Sequence, residues 1–179
     1  FITEVAMNMS MLAEEYTFLK DKDSLEGFLY PDTYRVRVDA TPLQMARTML
    51  TQFEKKIWPT YTSLWNKAYQ ELILASIVER EERVSSEQST VAWVLAKRVR
   101  EWIAMWADAT VCTWYAKTQK QCTPSFIAEV IYDKHPFNTR NMQGYPPTPI
   151  SNVPVDAWEN TLAKKESPYY YYLHDSNGA

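Results

Sequence analysis

The segment Leu72-Ile73-Leu74-Ala75-Ser76-Ile77-Val78-Glu79-Arg80-Glu81-Glu82-Arg83 runs apolar from Leu72 to Val78, with Ser76 the one polar interruption, and is charged from Glu79 onward. An apolar run of this kind, continuing a pattern that begins near Ser63, predicts a helix to about Arg83. At ~100° per residue, Ser76, Glu79, Arg80 and Arg83 share one face, the natural solvent side. Glu81 falls roughly opposite, beside Leu74, Ile77 and Val84. A carboxylate directed into an apolar face loses solvation and its pKa rises. A general acid needs that condition to hold its proton near neutral pH. The same residues also fit an exposed, frayed helix end, where Glu81 and Glu82 contact Arg80 or Arg83. Periodicity leaves both readings open.

Outward from this helix, the pattern is mainly helical. Apolar positions recur at helical spacing from Thr3 to Lys20, and Lys20-Asp21-Lys22-Asp23 makes a charged break. Thr41-Pro42 is a cap-and-start signal for a helix to about Ile57. Ser85 or Ser86 can cap a long helix carrying Val91, Val94, Leu95, Arg98 and Val99. Shorter helices are expected over Ala107–Ala116, from Thr123-Pro124 to Tyr132, and from Pro154 to Lys165. Tyr34–Val38 alternates and Tyr169–Leu173 is aromatic, so each reads as a short strand. The expected class is α+β, mainly helical with a few short strands. Lys134–Pro154 holds five prolines and one glycine and reads as a conformationally fixed loop.

Composition narrows the chemistry. Three glycines in 179 residues leave no room for a phosphate-binding loop or dinucleotide fingerprint. Two histidines and two cysteines disfavour a zinc site or a multi-disulfide scaffold. A net charge of -3 argues against nucleic acid as the main partner. No apolar run approaches the ~20 residues that span a bilayer. Seven Trp, twelve Tyr and six Phe are an excess of aromatics. Trp and Tyr faces suit carbohydrate rings, although aromatics more often form core.

Asp108, among Trp102, Trp106 and Trp114, is a second carboxylate of interest or a helix N-cap. Phe137-Asn138-Thr139-Arg140 and Gly144-Tyr145-Pro146-Pro147-Thr148-Pro149-Ile150 form a rigid polar loop whose Asn and Thr could bond ligand hydroxyls or amides. Cys112 and Cys122 are equally compatible with a disulfide and with free thiols. His135 and His174 lie near no nucleophile motif and receive no role.

Together these segments resemble the YceG-like family of membrane-anchored endolytic murein transglycosylases. Leu25-Glu26-Gly27-Phe28-Leu29-Tyr30-Pro31-Asp32-Thr33-Tyr34 is similar to the family's "LEG-[FY]-LFPDTY", and Leu74 to Glu81 to "LASIVEKE", whose last Glu is catalytic in the family. Asp108-Ala109-Thr110-Val111 is similar to "DPTV". Asn138-Thr139 with Gly144–Ile150 is similar to "YNTY…GLPPGPI", and Ser167–Leu173 contains a segment like "PYLYFV". The matches are collinear over about residues 25–178. The chain departs from the pattern at Trp102, where glycine is usual, at Trp106, at Ala109 in place of Pro, at Arg140 in place of an aromatic, and at Lys97-Arg98-Val99 in place of "NRL".

The resemblance implies a peptidoglycan lytic transglycosylase with Glu81 as catalyst, and Glu26, Asp108, Thr110, Asn138 and Thr139 as substrate-binding candidates. It implies no metal and no cofactor, glycan strands as substrate, cell-wall synthases as further partners, and the extracytoplasmic face of the bacterial membrane as location. Residues 1–24 are expected to be a helical remnant or linker from a LysM-like subdomain, and 25–179 a catalytic domain cut at its C-terminal end. The anchoring helix is expected outside this chain. Two other readings stay open: a hydrolase using Glu81 and Asp108, with carboxyls about 5–9.5 Å apart, and a non-catalytic glycan-binding scaffold.

Overall fold

The computed structural model describes residues 5, 7–118 and 120–173. Eight α-helices appear among them: α1 (Met9–Glu15), α2 (Pro42–Lys56), α3 (Trp58–Ser63), α4 (Ala68–Glu81), α5 (Ser85–Arg100), α6 (Asp108–Trp114), α7 (Pro124–Val130) and α8 (Val155–Ala163). Single 3-10 turns occupy Thr17–Leu19 and Trp65–Lys67. Local chemistry explains several of the starts. Thr41 and Gln44 form a reciprocal capping box ahead of Pro42, and the Thr123 side chain accepts from Phe126 N ahead of Pro124.

The described residues contain no strand, so the expected α+β class is corrected to all-helical. Both expected strands lack a neighbour to pair with. Tyr34–Val38 runs exposed over the surface. Ser167–Leu173 is irregular and is held by side chains of α5 instead of a backbone ladder. Trp93 Nε1 donates to Ser167 O, Lys97 Nζ to Pro168 O and Arg98 Nη1 to Tyr170 O, at 2.9, 3.1 and 3.2 Å. Alternation marks a residue pattern, but a strand also needs a partner's N–H and C=O groups. His174 and Gly178 lie outside the described residues.

α4 is the central element, packed against α3, α5, α6 and α8. Every residue from Leu72 to Val78 is buried, which corrects the expectation that Ser76 faces solvent. Ser76 Oγ donates to Ile73 O (2.7 Å) and accepts from Ile150 N (3.0 Å), so the proline-rich loop is fastened to the middle of α4. That loop also seats the Leu25–Leu29 turn: Asn152 Oδ1 accepts from Gly27 N (2.9 Å) and Leu29 N (3.1 Å). Gly27 has φ +90, and a Cβ there would lie 2.6 Å from Pro149 Cγ. Only glycine fits that contact.

Two main clusters form the core. The first joins Leu12, Phe18, Phe28, Leu50, Phe53, Ile57, Leu72 and Trp158, and is dominated by touching aromatic rings. The second surrounds the far end of α4 with Ile77, Val78, Leu95, Met105, Ala107 and Ile150.

Candidate active site

Glu81 is the last residue of α4 and is half-buried. Its two oxygens are gripped from two directions. Oε1 accepts from Ala109 N (3.1 Å) in the first turn of α6, and Oε2 accepts from Tyr172 Oη (3.1 Å). A helix N-terminus and a phenol therefore set the carboxylate's position and plane. Burial, followed by the Glu81 charge and hydrogen bond, pushes the Tyr172 phenol far above its ordinary range, so it stays a protonated donor. Neighbouring Glu82 is buried and accepts from Val84 N at 2.6 Å, which turns the chain sharply into α5.

Asp108 occupies the first position of α6, and Ala107 is the cap. Its carboxylate pairs with Arg140, and this pairing holds the guanidinium above its already high range, with a smaller contribution from Glu81. Thr110 and Thr139 are fully buried and bonded to each other through Oγ1 at 2.9 Å. Ala107 N donates to Thr139 Oγ1 (3.1 Å), and Trp106 N to Thr139 O (3.0 Å). These bonds fix the start of α6, and hence the amide aimed at Glu81. Asn138, also buried, donates through Nδ2 to the carbonyls of Ile131 (3.1 Å) and Asp133 (2.8 Å), and its Oδ1 accepts from Arg140 N (3.1 Å). The structure thus brings Glu81, Asp108, Thr110, Asn138 and Thr139 into one network. Glu26 belongs to the turn seated by Asn152, and burial pushes its carboxyl upward.

Three members of this network carry no site role in the sequence reading. Tyr172 lies in a segment read as strand, Arg140 stands where an aromatic is usual, and Arg98 counts there only as a helix position. Arg98 is 4% exposed. Its Nε donates to Ala104 O (2.8 Å) and its Nη1 to Tyr170 O, while the guanidinium lies 5.0 Å from the Trp106 ring and 4.9 Å from the Tyr171 ring. Burial lowers its pKa, and Nη2 has no hydrogen-bond partner among the described residues. Arg98 therefore ties the loop before α6 to the segment that carries Tyr172. A charged residue inside a helix's apolar stripe was the available signal.

Cys112 and Cys122 are joined in a disulfide that closes the turn between α6 and α7. Among the described residues, no cluster of three His, Cys, Asp or Glu side chains could hold a metal ion. No described helix is long and apolar enough to cross a membrane.

Fold and site together define an all-helical domain whose central helix ends in one carboxylate, clamped by a helix N-terminus and a tyrosine. Residues 2–179 match the model of the YceG-like family, and the chain belongs to that family. It is 28% identical over 162 residues to the endolytic murein transglycosylase of Bacillus subtilis (strain 168), covering 88% of this chain and 44% of that protein. The endolytic murein transglycosylase of Streptococcus pneumoniae serotype 2 (strain D39 / NCTC 7466) is 25% identical over 186 residues, covering 98% of this chain and 33% of that protein. The chain therefore spans less than half the length of these relatives. A crystal structure of a YceG-like protein from Listeria monocytogenes superposes with a TM-score of 0.80 at 24% identity, covering 94% of this chain and 57% of that one. It supports the same fold.

Proposed function

We propose that this chain is the catalytic part of an endolytic peptidoglycan lytic transglycosylase, with Glu81 as its acid and base. The observation that carries the reading is the double clamp on Glu81. A group that must first give and then take a proton works best held at one place throughout the reaction. Protonated Glu81 donates to the oxygen linking N-acetylmuramic acid to N-acetylglucosamine, and that bond breaks. The resulting carboxylate accepts the proton of the muramyl C6 hydroxyl as its oxygen attacks C1. One glycan chain leaves with a 1,6-anhydro end, no water is added, and Glu81 returns to its protonated state.

The Asp108–Arg140 ion pair favours this one-carboxylate scheme over a two-carboxylate hydrolase. A carboxylate committed to a partner guanidinium is not free to attack C1 or to orient a water. In this reading Thr110, Asn138 and Thr139 act through the loop they fasten, and Glu26 lines the approach. Residues 25–179 would form the catalytic unit, joined by 1–24 to a LysM-like subdomain. Its likeness to murein transglycosylases supports glycan strands as the substrate; in the same reading cell-wall synthases are further partners and the anchor lies in a further part of the protein. The disulfide supports an oxidising, extracytoplasmic location.

Purified sacculi incubated with the chain and with its Glu81→Gln variant test the activity. Anhydromuropeptides released by the parent alone are the expected result. Equal release by both would overturn the reading, and reducing ends in place of anhydro ends would move it to a hydrolase.

A further inference from the structure

We propose that the cavity between the start of α4, the turn after α5 and the Gln143–Pro147 loop is a second sugar-binding subsite with Trp102 as its platform. It takes a saccharide unit of the same strand, remote from the bond that Glu81 cleaves. The inference rests on the glycan reading given above.

The first observation is the backbone of Trp102. Its φ is +59, in the left-handed region that bulky residues avoid. Its indole is 75% exposed, so burial returns little for that strain. Glycine would hold this turn at lower cost, and the turn is already pinned through main-chain atoms: Trp102 N donates to Val99 O (3.2 Å), and Gln143 Nε2 donates to Trp102 O (2.8 Å). A strained and exposed indole that the fold does not need points to a ligand.

The second observation is what the indole faces. The cavity, of about 590 Å³, is lined by Trp102 with Tyr145 and Pro147, by Tyr69, whose ring already packs against Phe28 and under Lys22 Nζ, by Gln70, and by Gln143, whose Nε2 is engaged with Trp102 O. Aromatic faces suit the C–H faces of a pyranose, and primary amides suit its hydroxyl and N-acetyl groups.

The third is position. Gln70 and Glu81 lie on one helix, eleven residues apart. At ~100° and 1.5 Å per residue they share a face, about 16 Å from each other. Two loops make the same journey. The segment after α5 runs from Trp102 to Ala109, whose amide holds Glu81. The next runs from Arg140, paired with Asp108, to the cavity wall at Gln143–Pro147. Between the ends stands Trp106, also at φ +59 and 48% exposed. Of the three indoles at left-handed φ, exposed Trp65 lies outside the cavity lining, whereas Trp102 and Trp106 share the segment that runs from the cavity to Ala109 and mark a path leading away from Glu81, which suits a polymer better than a small ligand.

The test titrates the Glu81→Gln chain, with and without Trp102→Gly, against glycan strands of long and short defined length, each in peptide-free and peptide-bearing form. Thermal melting is measured on the same samples. The added Trp102→Gly change is expected to weaken long-strand binding about tenfold, to leave short-strand binding unchanged, and to hold or raise the melting temperature. Trp102→Phe should restore part of the long-strand affinity. Unchanged long-strand affinity would overturn the subsite, as would a lowered melting temperature with equal losses for both lengths. A defect confined to peptide-bearing strands would assign the cavity to the stem peptide and overturn it too. A parent chain that cleaves sacculi while Trp102→Gly binds normally removes the subsite alone. A parent chain that neither binds nor cleaves removes the proposed function as well.

Discussion

The two ends of α4 use the same residue types in opposite ways. Near its start, Phe18, Phe28, Phe53, Tyr61 and Trp158 are buried and packed ring against ring, with Phe53 tilted 5.0 Å from Phe18 and edge-on 5.2 Å from Phe28. Near its end, Trp106 and Tyr171 sit at the surface around buried Arg98. The first set stabilises by removing apolar area from water. In the second, both rings lie against the Arg98 guanidinium, and Trp106 alone stands at a left-handed φ. Aromatic content alone therefore says nothing of function, and burial is what separates the two sets.

Five substitutions break or sharpen that contrast. The largest expected effect is at the clamped carboxylate: Glu81→Gln keeps the side chain's shape and should lower anhydro-end formation about 10³-fold, with an unchanged melting temperature. In the buried aromatic set, Phe53→Ala should cost about 3–5 kcal/mol in chemical denaturation. In the exposed set, Trp106→Ala should cost below about 1 kcal/mol. A Trp106 loss equal to that of Phe53 would erase the distinction.

Tyr172→Phe removes the donor to Glu81 Oε2 and should reduce kcat about 10–100-fold, as for a hydrogen bond to a charged group, with little change in KM. An unaltered kcat would mean that the clamp has no part in turnover. The smallest effect concerns Glu26. Because burial raises its pKa in the folded chain, the stability it contributes is complete below the ordinary carboxylate range and lost as pH rises through the raised value. Glu26→Gln should therefore melt at or above the parent temperature at about pH 7, with the difference closing toward about pH 4. A variant that melts lower at neutral pH would contradict this.

Much of the helical order was legible because its signals are local. Thr41-Pro42 and Thr123-Pro124 start helices where a side-chain oxygen and a missing N–H satisfy the first turn. The apolar run from Leu72 to Val78 marked the central helix but misled about its faces. A helix covered on all sides has no solvent stripe, so Ser76 was placed outside when it is buried. The strands failed because pairing is a property of neighbours, and Ser167–Leu173 found side chains of α5 instead.

The sequence by itself determined where several helices begin, whereas the setting of Glu81 and the close contact with Pro149 that demands glycine at position 27 belong to the tertiary structure. The sequence could name Glu81 but not its partners. Ala109 and Tyr172 lie 28 and 91 residues further along the chain, and only tertiary packing brings an amide and a phenol to the two oxygens of one carboxylate. The physical reason is range. Caps and periodicity act within a few residues, whereas burial, ion pairing and the strain at Trp102 and Trp106 depend on surfaces that exist only once the chain has folded.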